Sequence, residues 1–297
     1  MESTVRAAER RTQVLKSARG QGGSVMSGPV VVGVDGSQSG MAAVEAAAQE
    51  ADRIGAELRL THAFAWSSDQ VSPGVPPWDR GGSGARRVVK GAMAEARRWA
   101  LRAAPDVRVT QEVLLGSPVA VLESGSRDAC LVVVGNHPTG RAGSLRSDSV
   151  AGQLAAHGRS PVLVVRGRPD PSGPVVLVGG HGQEVPAAVE FAYAQASARG
   201  ADLVVLDSTA VRDGRARKGF ADTLSAQREK YPDVITHHAR VRGGLRRAVM
   251  ETSTRAQLIV IGSRSHGRVP AALLSPVGRA ARRHADCPVA VIPVNKG

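Results

Sequence analysis

The turn Asp35-Gly36-Ser37, directly after the apolar run VVVGV, is the first place in this 297-residue chain where chemically capable side chains gather. An Asp-Gly-Ser turn behind a strand caps the helix that follows it, because carboxylate and hydroxyl oxygens accept backbone N–H bonds. The same carboxylate can hold a ribose hydroxyl or order a phosphate-binding turn, and the residues leave both readings of Asp35 standing. Glycine-containing segments follow two later apolar runs, GNHPTG after Val134 and GSRSHG after Ile261. Glycine there lets the main chain approach an anion with no side chain in the way. His62 lies on a predicted strand and reads as a packed core histidine. His137 and His266 lie in the two glycine-containing segments and read as solvated.

The missing constellations narrow the chemistry. A P-loop hydrolase needs GxxxxGK followed by Ser or Thr, which does not occur here. An ATP pyrophosphatase needs an SGGxDS-type turn; this chain has GVDGSQSG and, later, GGHGQEV. No Ser/His/Asp order and no carboxylate pair recurs. Cys130 and Cys287 neither make a disulfide framework nor sit in a metal-like cluster, and each reads as a small buried thiol at a strand edge. The expectation is a binding site with no catalytic residues, no metal and no required cofactor.

The elements that must position these residues occur twice. The first copy starts at Pro29 with VVVGVDGS. Met41, Val44, Ala48, Ala51 and Ile54 then recur at helical spacing, and Gly55 is placed to end that helix. A strand Leu58 to Phe64 follows, then a Pro/Gly/Ser-rich loop from Trp66 to Gly84 and a helix from about Arg86 to Ala103. A strand near Val107 to Leu115, a helix near Pro118 to Asp128, the strand Leu131 to Val134, a glycine-containing loop, a further helix and the strand Pro161 to Val165 complete the copy. The second copy opens at Pro174 with VVLVGGHG and ends in CPVAVIPV. Between these lie a helix from Val185 to Arg199 and strands at Leu203 to Leu206 and Leu258 to Ile261. Aligning Asp35 with His181 gives an offset of 146 residues; aligning Gly135 with Gly262 gives 127. Loss of the Trp66–Gly84 loop from the second copy accounts for most of the difference. The boundaries expected are an extension over 1–27, disordered or non-native with Met26 as a candidate initiator, a first domain 28–166, a linker 167–173 and a second domain 174–294. Short Val-rich strands alternating with helices indicate parallel sheets covered on both faces. Ligands of such sheets lie beyond the carboxyl ends of the strands, where the strand order reverses.

The motifs GVDGS, THAF and VVVGNHPTGRAGSLRSDSV, answered by LIVIGSRSHGRVPAALLSPV and DCPVAVIPV in the same order, resemble the universal stress protein family (UspA-like, in a tandem two-domain form) from about Gly28 to Val294. The resemblance implies an α/β fold of two tandem five-stranded parallel-sheet α/β/α sandwiches, adenine nucleotide α-hydrolase-like. It also implies dimerisation through the last strand, either as an intramolecular pseudo-dimer or as a homodimer. In one branch it implies ATP binding without a vigorous chemical step. It places candidate nucleotide contacts at Gly33, Asp35, Ala63, Gly135, Pro138, Asp148, Ser149 and Val150. The second-copy counterparts are His181, Ser208, Gly262, Ser265, Ser275 and Pro276.

The family's loop is Gly, two residues, Gly, nine residues, then Gly and a hydroxyl residue. Here Gly135 and Ser149 remain, and Ser149 reads equally as a helix cap. Pro138 has no N–H to donate. Asp148 sets a carboxylate beside a polyphosphate, and unit charges about 4 Å apart repel by roughly 4 kcal/mol at a surface-like dielectric. The second copy has lost the terminal hydroxyl as well. The expectation is a stress-response module whose first domain binds ATP weakly or not at all and whose second domain binds none; the alternatives are an ATP-binding or ATP-hydrolysing stress protein and a basic polyanion-binding protein acting through the second domain.

Composition bounds the partners. Hydrophobic residues are 42% and aromatics 3%, so the cores are expected to be Val, Leu and Ala. No apolar run is long enough to span a bilayer and the N-terminus lacks a secretory pattern, so no membrane and a cytoplasmic location are expected. The formal charge of +13 divides as +3 over 1–25, +2 over 26–173 and +8 over 174–297. The second-domain excess, including Arg246, Arg247, Arg279, Arg282 and Arg283, has almost no aromatic residue beside it to stack bases. That argues against a nucleic-acid partner and for a solvated basic face, with salt-sensitive polyanion contact as the alternative.

Overall fold

The structure, a computed structural model, describes residues 28–64, 84–136, 150–179, 186–208, 214–241, 244–263 and 276–293. The expected N-terminal extension, the Trp66–Gly84 loop apart from Gly84, and the positions His137, Pro138, Asp148, Ser149, His181, Ser265, His266 and Ser275 lie outside the described residues.

The first half runs β1 (Val30–Gly33), α1 (Gln38–Ile54), β2 (Leu58–Phe64), α2 (Gly84–Ala103), β3 (Val109–Leu115), α3 (Pro118–Gly125), β4 (Leu131–Gly135), α4 (Val150–His157) and β5 (Val162–Val165). The second repeats the order with β6 (Val175–Val178), α5 (Pro186–Arg199), β7 (Leu203–Ser208), α6 (Gly214–Lys230), β8 (Thr236–Val241), α7 (Leu245–Ser253), β9 (Leu258–Gly262), α8 (Pro276–His284) and β10 (Val289–Ile292). All ten strands belong to one sheet in the order β3-β2-β1-β4-β5-β10-β9-β6-β7-β8. Every neighbouring pair is parallel except β5 and β10, which meet antiparallel at the centre and join the halves.

Alternation along the Val-rich strands decides which helices cover which face. Val30, Val32, Leu131 and Val133 pack beneath α1 and α2 in a cluster that continues into the second half under α5 and α6. Val31, Val132, Val162 and Val164 point the other way, onto α3 and α4. Val176, Ile259, Val289 and Val291 do the same onto α7 and α8. Helix α1 starts where Ser37 accepts the Gly40 N–H at 3.0 Å, and it stops at Gly55 with φ 71°. A residue without a Cβ adopts that left-handed φ at little cost.

Backbone register fixes which residues of the two halves correspond. Val30 pairs with Leu58, and Val175 with Leu203, an offset of 145. Val34 N–H donates to Thr61 O at 2.9 Å, and Gly179 N–H to Leu206 O at 2.9 Å, again 145 apart. The 146-residue alignment is therefore corrected: the residue that follows Gly179, and so answers Asp35, is Gly180, and His181 stands one place further on. From β3 and β8 onward the offset is 127, as Val30 and Val175 show in pairing with Leu131 and Leu258. The length difference falls wholly between β2 and the end of α2 in the first half, and between β7 and the end of α6 in the second.

Candidate functional site

The first-half site forms where the chain turns at the carboxyl end of β1. This is a switch point, because β1 is followed in sequence by β2 on one side and neighboured by β4 on the other. Beyond Gly33 the main chain leaves the sheet, and Asp35 sits exposed at the rim. Its Oδ1 accepts from the Ser37 N–H at 2.9 Å and from the Ser37 hydroxyl at 2.7 Å, and it is Ser37, held in this way, that caps α1 rather than Asp35 itself. Gly40, in the first turn of α1, is shaped by this carboxylate: a Cβ there would stand 2.2 Å from Asp35 Oδ1.

Opposite, β4 ends at Gly135, where a Cβ would stand 2.6 Å from the Ser39 carbonyl oxygen. Strand and helix main chains thus approach more closely than any side chain would allow. Thr61 and His62 close the third side from β2. The Thr61 hydroxyl donates to Glu112 Oε1 at 2.7 Å, and His62 Nδ1 lies 2.7 Å from the Val34 carbonyl oxygen. His62 is half-buried, so it is neither the wholly packed histidine the strand pattern suggests nor a free side chain.

These groups enclose a cavity of about 170 Å³. Gly33, Asp35, Ala63, Gly135 and Val150 all line it, so five of the eight first-half candidates come together. The other three lie outside the described residues. The wall also includes Thr61, His62, Pro118 and Leu122. Sequence reasoning missed Pro118 and Leu122 because α3 carries no polar signature; only the sheet's parallel order brings its first turn beneath the end of β1. Among the described residues no three His, Cys, Asp or Glu side chains gather as a metal site.

The second half carries different residue types at two of the corresponding positions, Val178 for Gly33 and Leu206 for Thr61. Gly33, Thr61, Pro118, Leu122, Val134 and Val150 correspond to Val178, Leu206, Leu245, Val249, Ile261 and Val277. All six belong to one buried apolar cluster. Valine replaces the glycine at the end of the first strand, and leucine replaces the threonine hydroxyl. Gly262 ends β9 as Gly135 ends β4; Ser208 ends β7, and Pro276 opens α8.

A model of the universal stress protein family matches residues 26–166 and again residues 175–293. The chain is 30% identical over 285 residues to universal stress protein Rv2623 of Mycobacterium tuberculosis, covering 88% of this chain and 95% of the relative. It is also 30% identical over 305 residues to universal stress protein Rv1996 of the same organism, covering 88% and 94%. A solved universal stress protein from Archaeoglobus fulgidus superposes with a TM-score of 0.68 at 15% identity, covering 90% of this chain and 98% of that one, a likeness of fold. No helix among the described residues is long and apolar enough to cross a membrane.

Proposed function

This chain belongs to the universal stress protein family in a tandem two-domain form, and on that premise we propose that it is a stress-response binding module with one working ligand site, in its first half. The observation that carries the proposal is the contrast at two equivalent positions: Gly33 and Thr61 line a cavity with Asp35 at its rim in one half, and Val178 and Leu206 are buried in an apolar cluster in the other. A buried Val and Leu cluster offers no hydrogen bonds to a ribose or phosphate, and a polar ligand there would lose its hydration uncompensated.

In the first half, Asp35 would meet the ligand's hydroxyls, Ala63 and the apolar wall its flat ring system, and Gly135 its nearest phosphate. The phosphate end is where binding weakens. Pro138 withholds an N–H, a hydrogen bond to a charged group worth roughly 1.5–3 kcal/mol. Asp148 adds a negative charge to the segment in which the family's loop would hold the polyphosphate. ATP is therefore a weak ligand, the module has no chemical step of its own, and no cofactor is required for folding.

Calorimetry on protein purified free of nucleotide tests this. The expected dissociation constant for ATP with magnesium is above about 100 μM, a binding free energy weaker than roughly −5.5 kcal/mol. Asp35→Ala is expected to remove what binding there is. Nucleotide co-purifying at one per chain or more, or seated in both halves of a crystal grown with excess ATP, would overturn the proposal.

A further inference from the structure

We infer that the seam between the two halves is coded to be heterotypic: each half fits the other and mismatches a copy of itself. The pairing register is symmetric. Val162 lies opposite Val291, Leu163 opposite Ala290, and Val164 opposite Val289. Since Val162, Leu163 and Val164 have Val289, Ala290 and Val291 as counterparts, a pseudo-twofold axis passes through the Leu163–Ala290 pair. Main-chain hydrogen bonds in such a register would join two first halves, or two second halves, equally well. Side chains break the equivalence.

At the axis a buried leucine faces a buried alanine. Two first halves would set leucine against leucine in that space, and two second halves alanine against alanine. Overpacking and voids are both unfavourable in a dense interior.

Above the axis, α1 and α5 carry a charge code. Arg199 Nη2 donates to Glu50 Oε1, and Arg199 Nη1 donates to Gln195 Oε1. The Glu50 and Arg199 side chains are only 6% and 8% exposed. Arg53 reaches the same Glu50 oxygen at 2.6 Å from within the first half. Glu50 Oε2 is buried with no hydrogen-bond partner among the described residues. Burial lowers the Arg199 pKa, and the Glu50 carboxylate opposes that shift. At the offset of 145, Gln195 answers Glu50 and Arg199 answers Ile54. The twofold mate of the ion pair is thus the uncharged pair Gln195 and Ile54. Two first halves would bury two copies of Glu50, each left with Arg53 alone. Two second halves would bury two copies of Arg199 facing only Gln195. A buried charge stripped of its partner is strongly unfavourable, so the pair selects its partner more than it stabilises the join. On the opposite face Ala155 packs into the second half's cluster, while its counterpart Arg282 is a buried guanidinium side chain.

The test moves the code within the full chain. Glu50→Gln with Ile54→Arg copies the second half's residues into the first, leaving three arginines, Arg53 among them, and no acid. Gln195→Glu with Arg199→Ile leaves two acids with Arg53 as their one arginine. All four substitutions together relocate the ion pair to its twofold mate. Urea unfolding and light-scattering mass at several concentrations read the result. Each two-residue chain is expected to lose about tenfold or more in folding equilibrium constant or to gain mass by intermolecular pairing. The four-residue chain is expected to recover most of the loss and the mass of the unaltered chain. Should a two-residue chain fail to fold, folding of the four-residue chain is the expected result, and failure of both overturns the inference. Leu163→Ala, Ala290→Leu and their combination form a second cycle, in which the exchanged pair is expected to outperform the sum of the singles. Additive effects in both cycles overturn the inference; coupling in either assigns the code to that pair.

Discussion

Gly40 and Gly135 do at the residue level what no side chain could: one admits the Asp35 carboxylate against the start of α1, the other admits the Ser39 main chain against the end of β4. The two cysteines show the opposite use of a small side chain. Both thiols are buried, and burial pushes Cys130 up to about 11 and Cys287 up to about 12. Neither is expected to react with iodoacetamide at neutral pH unless the chain unfolds, because the thiolate is the nucleophile. The raised values also set the sign of a pH effect. A thiol whose folded pKa exceeds its unfolded one contributes stability that is whole below the unfolded value of 9.0 and lost as pH climbs through about 11. Urea midpoints measured at about pH 8 and about pH 10.5 should fall between the two, and fall less in a Cys130→Ala, Cys287→Ala chain.

Equivalent positions in equivalent strands carry different duties, and that is an element-scale property. Thr61 on β2 lines a cavity and donates a hydroxyl hydrogen bond to Glu112; Leu206, at the same register on β7, is packed into a cluster. Truncation should separate them. Leu206→Ala is expected to cost about 2–5 kcal/mol, the usual range for a leucine removed from a close-packed core. Thr61→Ala removes one hydrogen bond and a methyl group beside existing empty space, and should cost about 1–2 kcal/mol. Urea unfolding of both variants checks the ratio; equal losses would mean that the two halves are built alike after all.

Across the whole molecule, the central antiparallel pair makes two repeats into one sheet, and one apolar cluster runs beneath helices of both halves. Shared burial couples the unfolding of the halves. Calorimetry is expected to show a single transition for the unaltered chain. Leu163→Pro, which removes a donor from a central strand and distorts the seam, is expected to split it into two at lower temperature. A single sharp transition retained in that variant would show that the seam carries little of the coupling.

Much of this was readable from the residues in order. The strand LRLTHAF, the helix closed by Gly55 and the repeat itself follow from apolar period and turn chemistry, which are local. So does the turn at Asp35, because an Asp carboxylate accepts from the backbone N–H and hydroxyl of a Ser two residues on. β8 left no trace: Thr236–Val241 reads THHARV, an edge strand whose outward side chains meet water and need no apolar pattern. The true counterpart of Asp35 could not be read either, since repeated glycines fit two alignments and only the ladder of hydrogen bonds chooses one. Tertiary structure alone decided that Pro118 and Leu122 wall the first site, that Val178 and Leu206 are buried in an apolar cluster of the second half, and that Glu50 finds Arg199 some 149 positions away. Each of these depends on which strands lie side by side, and a linear sequence carries that information only through contacts that exist once the chain has closed.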